Sequence, residues 1–144
     1  MQQLWQNSLL TLKMKLIINT DGLSKNNPGQ AAIGAVLKNP RGKIVSTISQ
    51  SIGIASNNEA EYRAIIAALE AALKHRADDV ELRSDSELVV NQLNGRYKIK
   101  STTLRPFYLQ AAQLLGQFKK VTIKYVPREQ NTEADRLANE ALKK

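Results

Sequence analysis

Cysteine is absent from the 144 residues, which excludes disulfides and thiolate metal sites and fits a reducing, cytoplasmic setting. Histidine occurs once, as His75, so a histidine-rich zinc cage is excluded as well. The 7 Gly and 4 Pro are few and scattered, leaving no low-complexity linker. No apolar run approaches the roughly 20 residues needed to cross a bilayer, so no membrane association is expected. No internal repeat is visible. What remains, at 42% hydrophobic content, is one globular domain with a real core.

Basic charge is present and unevenly placed. The net charge is +8, yet residues 1–95 carry ten basic and nine acidic side chains, while residues 96–144 carry eleven and four. Arg96, Lys98, Lys100, Arg105, Lys119, Lys120, Lys124 and Arg128 supply most of the excess. A one-sided basic region suits a polyanion; a plain solvated surface is the alternative, and charge alone does not choose.

Residues 1–13 precede Met14, from which a compact domain of residues 14–144 can begin. The leading segment lacks a basic n-region and a cleavage signal, so it is expected to be an extension or a short packing arm anchored by Trp5 and Leu9 rather than a signal peptide. Leu16 to Asp21 reads as a buried strand stopped by Gly22, Ala31 to Leu37 as a second strand, and Lys43 to Ile52 as a third after the hairpin signal at Asn39 to Gly42. A helix opens at Asn57 or Asn58 and runs to about His75, which its dipole would favour. Val80 to Arg83 follows as a strand parallel to the first. Then come a helix from Ser84 to Leu93, another over residues 103–119 with Pro106 in its first turn, a strand through Val121 and Tyr125, and a last helix from Thr132 to about Leu142. This order predicts an α/β fold with one mixed five-stranded sheet flanked by helices.

Four acids stand in distinctive settings: Asp21 in TDGLSKNNPG, Glu61 in NNEAEY, Asp85 in SDSEL and Asp135 in NTEADRLAN. The first ends a strand-like run and the others begin helix-like runs. Each has an ordinary structural explanation. Ser84 with Glu87, Asn58 with Glu61 and Thr132 with Asp135 all have capping-box spacing, and Asp21 before Gly22 suits a turn. The combination points further. If the first and fourth strands are neighbours, Asp21 and Asp85 emerge side by side, with Glu61 and Asp135 on adjoining first turns. Converging acids need a cation, and hard oxygen donors without Cys or His suit Mg²⁺, or Mn²⁺, rather than Zn²⁺.

From Asp21 to the C-terminus these ordered blocks resemble type 1 ribonuclease H. The resemblance implies the ribonuclease H fold with sheet order 3-2-1-4-5, and endonucleolytic hydrolysis of the RNA strand of an RNA–DNA hybrid by two metal ions, giving 5′-phosphate and 3′-hydroxyl ends. It implies that Asp21 bridges both ions, that Glu61 and Asp85 hold the one on the leaving-group side, and that Asp135 serves the water-activating side. Asn27, Ser56, Asn57 and Asn58 fall at nucleic-acid contact positions, and Glu61 with backbone around Gly22 to Ser24 would sense the RNA 2′-hydroxyl. Hybrid binding should be salt-dependent and without sequence preference. A monomer is expected.

The chain departs from bacterial relatives in three places. Asn94 to Thr103 replaces a basic protrusion, so grip on substrate falls to Arg96, Tyr97, Lys98 and Lys100. The loop Val126 to Gln130 has no His and resembles the shorter loop of archaeal-type members, which assigns Arg128 to product release. Glu87 stands where a Gln is common, implying one weaker base contact. Three other readings stay open: a resolvase, exonuclease or transposase core of the same fold, a hybrid-binding module that does not cut, and a structural domain.

Overall fold

The computed structural model describes residues 14–143; the proposed extension with Trp5 and Leu9 lies outside them. Strands β1 (Lys15–Ser24), β2 (Gly29–Lys38) and β3 (Ile44–Ala55) form an antiparallel meander, followed by α1 (Asn57–Lys74), β4 (Asp79–Ser84), α2 (Glu87–Leu93), α3 (Arg105–Leu115), β5 (Lys120–Tyr125) and α4 (Thr132–Leu142). The sheet order is β3-β2-β1-β4-β5, with β4 parallel to both β1 and β5. This is the expected architecture.

Alternation along β1 decides what each face receives, since successive strand side chains point oppositely. Leu16, Ile18 and Thr20 are fully buried, and Leu16 and Ile18 pack with Val80 and Leu82 of β4 and with Tyr62, Ile65 and Leu69 of α1. Asp21 is paired with Gly34 of β2, and α4 crosses the sheet there so closely that a Cβ at position 34 would lie 2.2 Å from the Ala134 carbonyl oxygen. Gly22 faces the other way: a Cβ there would lie 2.2 Å from the carbonyl carbon of Ala60 in α1. Two glycines thus let a helix come down on each face of the sheet beside Asp21.

Gly22 does not stop the first strand. It pairs with Ile33, and the ladder continues to Ser24 against Ala31. The bare backbone marks a close helix approach within a strand, which sequence punctuation cannot distinguish from a strand end. The helix expected over residues 103–119 is shorter, ending at Leu115 with Gly116 after it, while Phe118 is still buried as the chain turns toward β5. The third strand runs past Ile52 to Ala55, crossing a bulge at Gly53, whose φ of 79° suits glycine. Asn39 caps the β2–β3 turn by accepting from the backbone N–H groups of Arg41 and Lys43.

Candidate active site

The parallel register ends with Thr20 beside Ser84, so the next residues, Asp21 within β1 and Asp85 just past β4, come together at one edge of the sheet. Glu61 enters from the first turns of α1 and Asp135 from the first turn of α4. Carboxylate oxygens of Asp21, Glu61 and Asp85 all lie within 4.8 Å of one another. Asp135 stands close enough for its charge to act on both Asp21 and Asp85.

The capping explanations do not hold. Ser56 caps α1 by accepting from the Glu59 N–H, and Ser86 caps α2 by accepting from the Val89 N–H. Ser84, expected to pair with Glu87 in a capping box, instead accepts from the Ser86 N–H and donates toward Oε2 of Glu61 at 3.5 Å. No side chain caps α4. The helix ends are therefore served, where they are served, by residues other than Glu61, Asp85 and Asp135, and Asp21 lies within a strand rather than in a turn.

The electrostatics of the cluster are unfavourable as it stands. Burial, with the charges of Asp85 and Asp135 nearby, raises Asp21 from 3.8 to about 7, even though its hydrogen bond with Glu61 works the other way. Glu61 is pushed well above the ordinary glutamate range by burial and by Asp21, although the Gly22 N–H donates to its Oε1 at 3.2 Å. Burial also raises Asp85, and hydrogen bonding from Asn131 and the charge of Arg128 offset part of that rise. None of the four acids is in an ion pair among the described residues, whereas Glu81, on the same sheet, has Lys15, Arg83 and Lys124 around it. An all-oxygen set, Asp21 and Glu61 buried and Asp85 and Asp135 half-buried, with none of the four ion-paired among the described residues, fits a divalent ion of the Mg²⁺ or Mn²⁺ kind.

The cleft over the acids is lined by Asp21, Gly22, Leu23, Asn57, Asp85, Tyr125, Arg128 and Asp135. Arg128 begins a short 3₁₀ turn, Arg128–Gln130, that leads into α4. Ser24, Asn27 and Asn57 are tied to one another: the Ser24 N–H donates to Asn57 Oδ1 at 2.7 Å, and the Asn57 N–H donates to Asn27 Oδ1 at 2.9 Å. The Ser24 hydroxyl also donates to the Ala55 carbonyl at 2.6 Å. This lattice pins the β1–β2 turn to the start of α1, next to Asn58. Asn26 and Asn27 both adopt positive φ in that turn.

The basic segment after α2 is divided. Arg96 lines a groove with Glu87, Lys124 and Tyr125, and Tyr125 joins this groove to the acidic cleft. Tyr97 and Lys98 line a different groove, with Arg105, Tyr108 and Leu109. Lys100 is exposed and lines neither. His75 is exposed at the C-terminal end of α1, about 20 Å along the helix from Glu61 at 1.5 Å per residue.

Sequence reasoning missed Ser84, Tyr125 and Asn131. Ser84 and Asn131 are buried polar side chains, the first bonded to Glu61 and the second to Asn19 and the backbone just before Asp21, and their one visible signal was position, immediately before Asp85 and in the loop leading to α4.

The family model described as reverse transcriptase-like matches residues 19–141. A Halobacterium salinarum protein named ribonuclease HI is 50% identical over 122 residues, 85% of this chain and 61% of its own length. Mycobacterial relatives at 45% identity are longer still, and the chain spans 36% of their length. Among solved structures, RNase H1 of Halobacterium salinarum superposes with a TM-score of 0.88 at 47% identity, covering 90% of this chain and 98% of that one. LC11-RNase H1 in complex with RNA/DNA hybrid gives 0.84 at 40% identity, covering 89% and 96%.

Proposed function

Because the chain belongs to the type 1 ribonuclease H family, we propose that it hydrolyses the RNA strand of RNA–DNA hybrids endonucleolytically, leaving 5′-phosphate and 3′-hydroxyl ends. The observation that carries this reading is the convergence of Asp21, Glu61 and Asp85 within 4.8 Å, from three separate parts of the chain and with none of them ion-paired among the described residues. A solved relative of the same fold at 40% identity is a complex with RNA/DNA hybrid, which supports the choice of substrate.

In this reading Asp21, Glu61, Asp85 and Asp135 would hold two Mg²⁺ ions, with Mn²⁺ a possible substitute. When bound, the ions supply an acidified water and neutralise charge on the leaving oxygen. The remaining work belongs to the chain. Gly22 and Ser84 fix both oxygens of Glu61 by hydrogen bonding, so that this carboxylate keeps one orientation at the cleft floor. Asp21 is held by pairing with Gly34 of β2, and the residue before it by pairing with Ser84 of β4, rather than by a mobile loop, which pre-organises it. Arg128 brings positive charge to the exposed rim, beside Asp85, where a product phosphate would leave. Asn57 lines the same cleft within the Ser24–Asn27 lattice, a rigid ridge against which a nucleic-acid backbone can rest. Arg96 and Lys124 extend the contact beyond Tyr125, and phosphate contacts of this kind give affinity that falls with salt. No side-chain nucleophile is needed for this reaction, and His75 is too distant to act as one. The reading extends to a monomer working in the cytoplasm.

Incubation of a 5′-labelled RNA–DNA hybrid beside matched DNA and RNA duplexes, with Mg²⁺ or with EDTA, tests the reading. Mg²⁺-dependent cleavage confined to the RNA of the hybrid, with fragments that polynucleotide ligase can rejoin after end matching, supports it. Equal cutting of DNA duplex would assign the chain to a different nuclease class, and hybrid binding without cutting would make it a recognition module.

A further inference from the structure

Asn131 has the environment of a part that holds other parts in place. It is 1% exposed and precedes the first residue of α4. An Asn in that position ordinarily caps its own helix, yet this side chain makes no cap hydrogen bond. It reaches into the sheet instead. Its Oδ1 accepts from Asn19 Nδ2 at 3.0 Å, and its Nδ2 donates to the Thr20 carbonyl at 2.9 Å. A carbonyl can only accept, so Thr20 determines which end of the amide faces the sheet. The Asn131 side chain also lies close enough to the Asp85 carboxylate to offset part of the rise that burial causes there. On the main chain, the Asn131 carbonyl accepts from the Asp135 N–H at 3.1 Å.

One residue therefore bonds to the backbone directly before Asp21 and to the amide of Asp135, at the sheet edge where Asp85 stands. We propose that Asn131 is a positioning residue, which sets Asp85 against Asp21 and locks Asp135 to the same sheet edge without itself meeting substrate or ion. Asn131 is not among the residues lining the acidic cleft, so its effect there passes through the acids. Asn19 is its second partner: by donating to Oδ1 it holds the amide from the other end while Nδ2 is bonded to the Thr20 carbonyl.

The proposal rests on reading the acids as a divalent-cation site, and its test separates the two. Wild type, Asn131→Ala and Asn19→Ala are compared by Mn²⁺ affinity from electron paramagnetic resonance titration, by hybrid affinity in EDTA, and by kcat and KM in Mg²⁺. Loss of the side-chain hydrogen bonds to Thr20 and Asn19 should weaken Mn²⁺ binding about tenfold in Asn131→Ala and lower kcat by at least about tenfold, while KM and EDTA hybrid affinity stay within about twofold. Asn19→Ala, which leaves the buried amide held by the Thr20 carbonyl alone, should show the same pattern with smaller losses. A folded Asn131→Ala with wild-type Mn²⁺ affinity and kcat overturns the proposal. If that variant does not fold, wild-type values for Asn19→Ala overturn it instead. Wild type that binds Mn²⁺ but cuts no hybrid would sink the nuclease reading while leaving the positioning role to stand or fall on Mn²⁺ affinity.

Discussion

The backbone N–H of Gly22 donates to Oε1 of Glu61 across 3.2 Å, so the strand that carries Asp21 and the helix that carries Glu61 meet directly. They can meet only because position 22 has no side chain, since a Cβ there would sit 2.2 Å from Ala60. Gly22→Ala should therefore move α1 outward, cost about 1–3 kcal/mol of stability, and slow hybrid cleavage by more than about tenfold. Thermal melting and initial rates on the same preparation check both halves. An alanine variant as stable and as fast as wild type would show that α1 and β1 have slack at this contact.

Asp21→Asn should fold and lose cleavage by at least about a thousandfold. It should also be the more stable protein when metal is removed at pH 8, by on the order of 1 kcal/mol or more, because it relieves a buried charge among like charges. Melting curves in EDTA compare the two chains. An Asp21→Asn variant that melts below wild type in EDTA would mean that Asp21 stabilises the fold instead of straining it.

Stability of the metal-free protein should fall as pH rises. Between 3.8 and about 7 the folded chain keeps a proton on Asp21 that the unfolded chain has released, so unfolding becomes easier across that window. Glu61, raised in the same direction, adds to the decline. Binding of Mg²⁺ by the ionised acids should flatten the curve at its upper end. Melting temperatures from pH 4.5 to pH 8, with EDTA and with Mg²⁺, read this out; a metal-free curve that is level or rises would contradict it.

Arg128→Ala should lower turnover by about 10- to 100-fold and leave hybrid affinity in EDTA nearly unchanged, since Arg128 lies at the cleft rim beside Asp85 rather than along the grooves. Parallel loss of affinity and rate would reduce its part to phosphate grip.

Much of this was legible in the chain itself. The sheet order followed from the resemblance, and element types followed from periodicity, because β1, β4 and α1 bury long apolar runs. The four acids stood out because their settings mark element boundaries. What stayed hidden was long-range. Gly22 reads as a stop in sequence, and only its approach to Ala60 shows why the strand passes through it. Ser84 has capping-box spacing, but its hydroxyl is spent on Glu61 and Ser86. Asn131 contacts residues 112 and 111 positions away, which no local pattern reports. Arg96 and Tyr97 are adjacent in sequence yet line separate grooves, a division set by how the segment turns after α2.

Diffraction from crystals soaked in Mn²⁺, with anomalous maps, tests the central claim most directly. An anomalous peak coordinated by Asp21, Glu61 and Asp85, joined by a second near Asp135 when an uncleaved hybrid is bound to an Asp85→Asn chain, is the expected result. Maps with no peak at this edge, or with Mn²⁺ held elsewhere while the protein still cleaves hybrid, would contradict it.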